Sequence, residues 1–109
     1  MKKIYRHGDW NFIPAEKIAG EKIKTDNEFT WAVGEARNHN HTAHATDITK
    51  MNWYKMPDGS YFVDFKEDIK LTHPEHSTKI DLVVPIGIYK VIQRREKDWF
   101  QLTVRKILD

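Results

Sequence analysis

The chain has 109 residues, 39% of them apolar and 31% charged, with no cysteine and a formal net charge of +2. That length suits one domain with one core, and four Trp, four Tyr and five Phe supply too much large apolar surface for a disordered chain. The lack of cysteine excludes disulfides, thiolate metal sites and cysteine nucleophiles, and a charge this close to neutrality makes no case for nucleic acid.

Period-two alternation dominates the second half of the chain. The segment IYRHGDWNFIP (4–14) reads as a strand with a turn or bulge at Gly8. PAEKIAGEKI (14–23) is the only helix candidate, and Gly20 limits it to a turn or two. EFTWAVGEA (28–36) reads as a strand with Phe29, Trp31 and Val33 in phase. MNWYKM and YFVDF flank Pro57-Asp58-Gly59-Ser60, a hairpin signal. DIKLTH puts Ile69, Leu71 and His73 on one face and Lys70 and Thr72 on the other. KIDLVV alternates Ile80, Leu82 and Val84 until Pro85 and Gly87 break the run. GIYKVIQR and WFQLTVRKIL read as a final strand pair joined through RREKD, with Phe100, Leu102 and Val104 facing one way. There is no internal repeat, low-complexity tract or linker. The expectation is a single domain over 1–109, mainly all-β, a small barrel or sandwich of about seven to eight short strands with at most one short helix.

MKKIYRHGDW has a basic start with no apolar run behind it, so no signal peptide is expected. IDLVVPIGIY, interrupted by Asp81, Pro85 and Gly87, is too short to cross a bilayer as a helix. A cytoplasmic protein with no membrane partner follows as the expectation. Charge is unevenly spread: residues 1–24 and 90–109 each hold six basic and three acidic groups, and 25–89 holds six and ten. Paired termini would gather a modest basic patch, with Arg94 and Arg95 foremost, suited to a small anionic or nucleotide ligand and more weakly to nucleic acid.

Five of the six histidines fall in two windows, His39, His41 and His44 in HNHTAH, then His73 and His76 in HPEH. In an extended strand, residues i and i+2 share a face with Cα atoms about 6–7 Å apart, so the imidazoles of His39 and His41 can converge on one ion. His44 would point away from them. His73 continues the face of Ile69 and Leu71, and Pro74 starts a turn that could return His76 to the same point. His39, His41, His73 and His76 are therefore the expected metal ligands. Without sulfur the donor set suits zinc, iron(II), manganese or nickel. Glu35, read as preceding the HxH pair on the same strand face, and Glu75, inside HPEH, are the expected acid/base or imidazole-orienting carboxylates. His7 reads as a structural histidine and Asp9 as a turn residue.

Gly8-Asp9, Gly34-Glu35, His39, His41, His73, Glu75, His76, Gly87, Tyr89, Val91 and Arg95-Glu96 stand in an order that resembles a little-characterised group of small bacterial and phage proteins. The sequence departs from that pattern at Asn38, in place of Gly, and at Lys97, in place of Tyr. The resemblance spans nearly the whole chain and implies that the two histidine windows act together; it carries no activity. Gly34 with His39-x-His41, and Pro85-x-Gly87, are also similar to the cupin motifs. Lys90 stands where the second-motif histidine belongs, so this resemblance implies architecture only. His44-Ala45-Thr46 and His76-Ser77-Thr78 resemble the paired HxT motifs of two-histidine phosphoesterases, which implies metal-independent acid–base chemistry on an RNA or cyclic phosphate. In those phosphoesterases the flanking positions are apolar, whereas Asp47 and Lys79 are polar.

The function expected is a small divalent-metal-binding β-barrel with a histidine-cluster site, a metal-dependent hydrolase acting on a phosphate-bearing ligand. The alternatives are a non-catalytic binding or accessory module, phage or viral, and the two-histidine phosphoesterase or ribonuclease.

Overall fold

Alternating apolar residues become strands that bury one side, and loops form where Gly, Pro, Asp and Ser interrupt them. The computed structural model describes residues 3–32, 41–72 and 80–93. Ten strands form among them: β1 Tyr5–His7, β2 Trp10–Pro14, β3 Glu21–Ile23, β4 Glu28–Ala32, β5 His41–His44, β6 Met51–Lys55, β7 Tyr61–Phe65, β8 Ile69–Thr72, β9 Ile80–Val84 and β10 Gly87–Gln93. The only helical piece among the described residues is a single 3-10 turn, Ile48–Lys50, whose cap is the Asp47 side chain.

All strand pairs are antiparallel. They make one sheet in the order β1-β2-β10-β7-β6-β3 and another in the order β4-β5-β8-β9. Of the two expected architectures the sandwich is the one formed; no closed barrel exists among the described residues. The strand count exceeds the seven or eight expected because IYRHGDWNFIP folds back at Gly8-Asp9 into β1 and β2 and because a further strand, β3, appears in the segment that was the helix candidate. In PAEKIAGEKI, Pro14 closes β2, Ala15 donates its N–H to Ile88 O at 2.9 Å, and Glu21–Ile23 pair with the edge of β6. Backbone bonds to two existing strands satisfy this segment better than a short Gly-containing helix would.

The central hairpin forms as its turn residues dictate. Gly59 N–H donates to Met56 O at 3.1 Å, Met56 and Ser60 close the loop at 2.9 Å, and the Asp58 carboxylate accepts the Ser60 N–H at 2.9 Å. The Ser60 hydroxyl, and then its N–H, hold the Asp58 carboxyl below its ordinary range. DIKLT has the expected phase, with Ile69 and Leu71 fully buried and Lys70 exposed. GIYKVIQ forms a strand, as expected. β10 is flanked by β2 over Tyr89–Gln93 and by β7 over Gly87–Val91, so it is a central strand. WFQLTVRKIL lies outside the described residues.

The core is an aromatic lattice between the sheets. Trp10, Phe12, Trp53, Phe65 and Tyr89 come from the larger sheet, and Trp31 from the smaller one packs against them with Ala43, Ile69, Leu71 and Val84. Trp31 stacks on Trp53 with centroids 5.4 Å apart and meets Phe12 edge-on at the same separation. Tyr61 of β7 crosses between the sheets to donate its hydroxyl to Trp31 O at 3.1 Å. Tyr89 donates to Pro85 O at 2.9 Å, and burial pushes its hydroxyl pKa up to about 12. Trp53 is fully buried, so Trp53→Ala is expected to cost about 3–5 kcal/mol in urea unfolding. Val83→Thr on the outward face should stay within about 0.5 kcal/mol.

Candidate metal centre

The register of the larger sheet places His7, Trp10 and Gln93 in one cross-strand row, since His7 pairs with Trp10 and Trp10 with Gln93. Residues directly opposite in register share a face, so the His7 ring turns inward with Trp10. Across the gap, β5 alternates His41 and Ala43 inward with Thr42 and His44 outward. A β-bulge beside it makes Trp31 the extra residue: Thr30 pairs with Thr42, whereas Ala32 pairs with His41. Bulges re-aim side chains and are common beside functional sites. Here the bulge sets the Trp31 ring 5.9 Å from His7 and 5.5 Å from His41, centroid to centroid.

The result is a direct contact between the sheets. His7 Nδ1 lies 2.8 Å from His41 Nδ1, and both residues are only 4% exposed. One nitrogen must present a lone pair and the other a hydrogen, or both lone pairs must face a shared cation, because two N–H groups cannot face each other at this distance. Two imidazoles on one tetrahedral ion, each at about 2.0–2.1 Å, have nitrogens about 3.3 Å apart. For both rings to ligate one ion, their nitrogens would have to separate by about half an ångström and their lone pairs turn toward a common point. The indole N–H of Trp31 is buried beside them without a hydrogen-bond partner.

The β1–β2 turn completes the arrangement. Gly8 has φ +65°, and a Cβ built there would lie 2.7 Å from His41 Cε1. Glycine is needed both for the backbone conformation and for the approach of the ring. Asp9 Oδ2 accepts a 2.6 Å bond from Gln93 Nε2, and Asp9 Oδ1 lies 3.9 Å from His41 Nε2. Asp9 thus sits beside the Nε2 edge of the His41 ring, away from the Nδ1 that meets His7.

Of the expected ligands, His41 lies in this cluster. His39, His73 and His76 lie outside the described residues, as do Glu35, Glu75, Arg94 and Arg95. The strand expected to carry Glu35 in phase with the HxH pair is instead two antiparallel strands. β4 ends at Ala32, which is paired with His41. Neither His7 nor Asp9 was expected at the site. Only the Gly8-Asp9 step in the family-like pattern hinted at them, because no local spacing joins residue 7 to residue 41. No group of three or more His, Asp or Glu side chains able to hold an ion occurs among the described residues.

His44 lies on the opposite face from His41. Its Nε2 is 2.6 Å from Thr72 Oγ1 and its Nδ1 is 3.3 Å from Glu28 Oε1. The hydroxyl of Thr46, the threonine of the first HxT motif, donates to Glu67 at 2.7 Å, and the Thr46 N–H donates to the same carboxylate at 2.7 Å. These two bonds, the N–H first, hold the Glu67 carboxyl below its ordinary range.

The family model described as Domain of unknown function (DUF8820) matches residues 6–94, a span that takes in both sheets, His7, His41 and both histidine windows. Comparison with curated proteins and with solved structures returned no match. Two glycine substitutions separate backbone strain from ring contact at the site. Gly59→Ala meets nothing within 4 Å, so it should cost only the left-handed strain, about 1–2 kcal/mol. Gly8→Ala should cost about 1–3 kcal/mol more, because the His41 ring must move, and should also alter tryptophan fluorescence.

Proposed function

Because the chain belongs to the family described as Domain of unknown function (DUF8820), its activity has to be read from its own side chains, and we propose that it binds a divalent metal ion at the His7–His41 pair. The observation that carries this reading is the 2.8 Å approach of two buried Nδ1 atoms at the end of the sandwich where the histidine-bearing segments join the described strands. Residues 33–40 run from Ala32 to His41, which are paired neighbours, and residues 73–79 run from Thr72 to Ile80, which are paired likewise. Thr72 is opposite Thr42, the residue after His41. His39, His73 and His76 are thus tethered within a few residues of the pair, and they are the proposed remaining ligands. Zinc, iron(II), manganese or nickel fits a nitrogen and carboxylate donor set.

Hydrolysis of a phosphate-bearing ligand is the proposed reaction. Arg94 and Arg95 follow directly in sequence on Gln93, whose amide holds Asp9, and they are the proposed ligand-binding residues. Positive charge there would attract an anionic ligand and offset charge that develops on phosphate oxygens. Glu35 and Glu75 remain the proposed acid/base groups, and Asp9 joins them as the carboxylate facing the back of the His41 ring. The metal-independent HxT reading has less support, because His44 and Thr46 are already engaged by Thr72, Glu28 and Glu67.

Protein purified without a histidine tag should carry one divalent ion per chain by native mass spectrometry. His41→Ala and His7→Ala should each lose stoichiometric metal while circular dichroism still reports a β protein. Adding metal at about a hundred times its dissociation constant should stabilise the wild type by about 2.7 kcal/mol. Full metal occupancy in both variants would remove the proposal.

A further inference from the structure

The outward face of the smaller sheet holds a second constellation, independent of the metal reading. Its register sets Glu28 opposite His44 and His44 opposite Lys70 in one row, and Thr30 opposite Thr42 and Thr42 opposite Thr72 in the next. Thr30 and Thr42 pair hydroxyl to hydroxyl at 2.8 Å, an arrangement in which either atom can donate. The contacts of His44 differ in kind. A carboxylate only accepts, so in the neutral ring the Nδ1 facing Glu28 carries the hydrogen. Nε2 is then a bare lone pair, and the 2.6 Å contact to Thr72 Oγ1 requires that hydroxyl to donate into it. Carboxylate, imidazole and hydroxyl are thereby ordered in the one direction that draws a proton off the threonine oxygen.

We propose that Thr72 is a nucleophile toward small activated acyl esters, with His44 as its general base and Glu28 as the residue that orients the ring. Thr72 Oγ1 forms a bond to the ester carbonyl carbon while its proton passes to His44 Nε2. The ester C–O bond then breaks, and the leaving oxygen takes that proton from Nε2. Water repeats the sequence on the acyl-threonine, releasing the carboxylic acid and restoring the hydroxyl. No oxidant, metal or further reactant is required. The His44 side chain is 30% exposed, which admits a small ester. Lys70, exposed on the same face and opposite His44, adds positive charge to this face, which favours an oxygen that becomes anionic during attack.

The probe is p-nitrophenyl acetate, applied to chelator-treated protein, with p-nitrophenolate release followed by absorbance and the acetyl group located by peptide mass spectrometry. Wild type should acquire one hydroxylamine-labile acetyl ester at Thr72. His44→Gln should slow acylation by about a hundredfold or more, the usual worth of a general base, and Glu28→Gln should slow it less. Thr72→Val should abolish the ester, and Thr72→Ser should retain it, which separates loss of the nucleophile from loss of fold. Acetylation confined to lysines or the α-amino group would overturn the proposal. Equal labelling of Thr72 in wild type and His44→Gln would overturn it as well.

Discussion

The contact on which the rest of this structure depends is the packing of Trp31 against the larger sheet. Trp31 is the residue that the β4 bulge sets out of register, and its ring lies stacked on Trp53 and edge-on to Phe12 and Trp10. Its carbonyl receives the Tyr61 hydroxyl from the other sheet. A sandwich is stabilised chiefly by what its two inner faces bury together, and large rings contribute most of that area. One bulged tryptophan therefore fixes the spacing of the sheets. It also brings β5 to the height at which His41 meets His7.

The histidine pair follows from that spacing and carries a cost of its own. A buried imidazole needs partners for its polar atoms. These two rings find one in each other, with Asp9 and Gln93 arranged behind His41. The site draws on both sheets and on the β1–β2 turn, so it exists only in the folded domain. The outward face of the smaller sheet is different. Its Glu28–His44–Thr72 contacts join three adjacent strands and need only the local register. One constellation depends on how the sheets pack, the other on how a single sheet pairs.

Strand identity was readable wherever a residue's own alternation decided its burial. Ile69 and Leu71 against Lys70, and the two runs around Pro57-Asp58-Gly59-Ser60, are cases where period two and turn chemistry act over a few residues. The helix candidate at 14–23, already limited by Gly20, gave way to a strand because propensity is a weak term and neighbouring strands offered Ala15 and Glu21–Ile23 backbone partners. GIYKVIQ was legible as a strand but not as the central one, since hydrogen-bonding neighbours on both edges leave no mark on a strand's own alternation.

By itself, the sequence determined the class of the protein: an all-β domain with an aromatic core, no thiol chemistry and histidine as its concentrated reactive side chain. It also determined that His41 and His44 face opposite ways, because three steps along a strand reverse the side chain. Tertiary structure decided the order of strands, the choice of sandwich over barrel, and the partner of His41. His7 is thirty-four positions away from His41, on the other sheet. Periodicity carries information over a few residues, whereas which inward-facing residues of two sheets meet depends on sheet order, bulge position and the size of the rings between them. The Trp31 bulge and the β1–β2 turn at Gly8 settle that meeting, and neither is expressed in the spacing of the histidines.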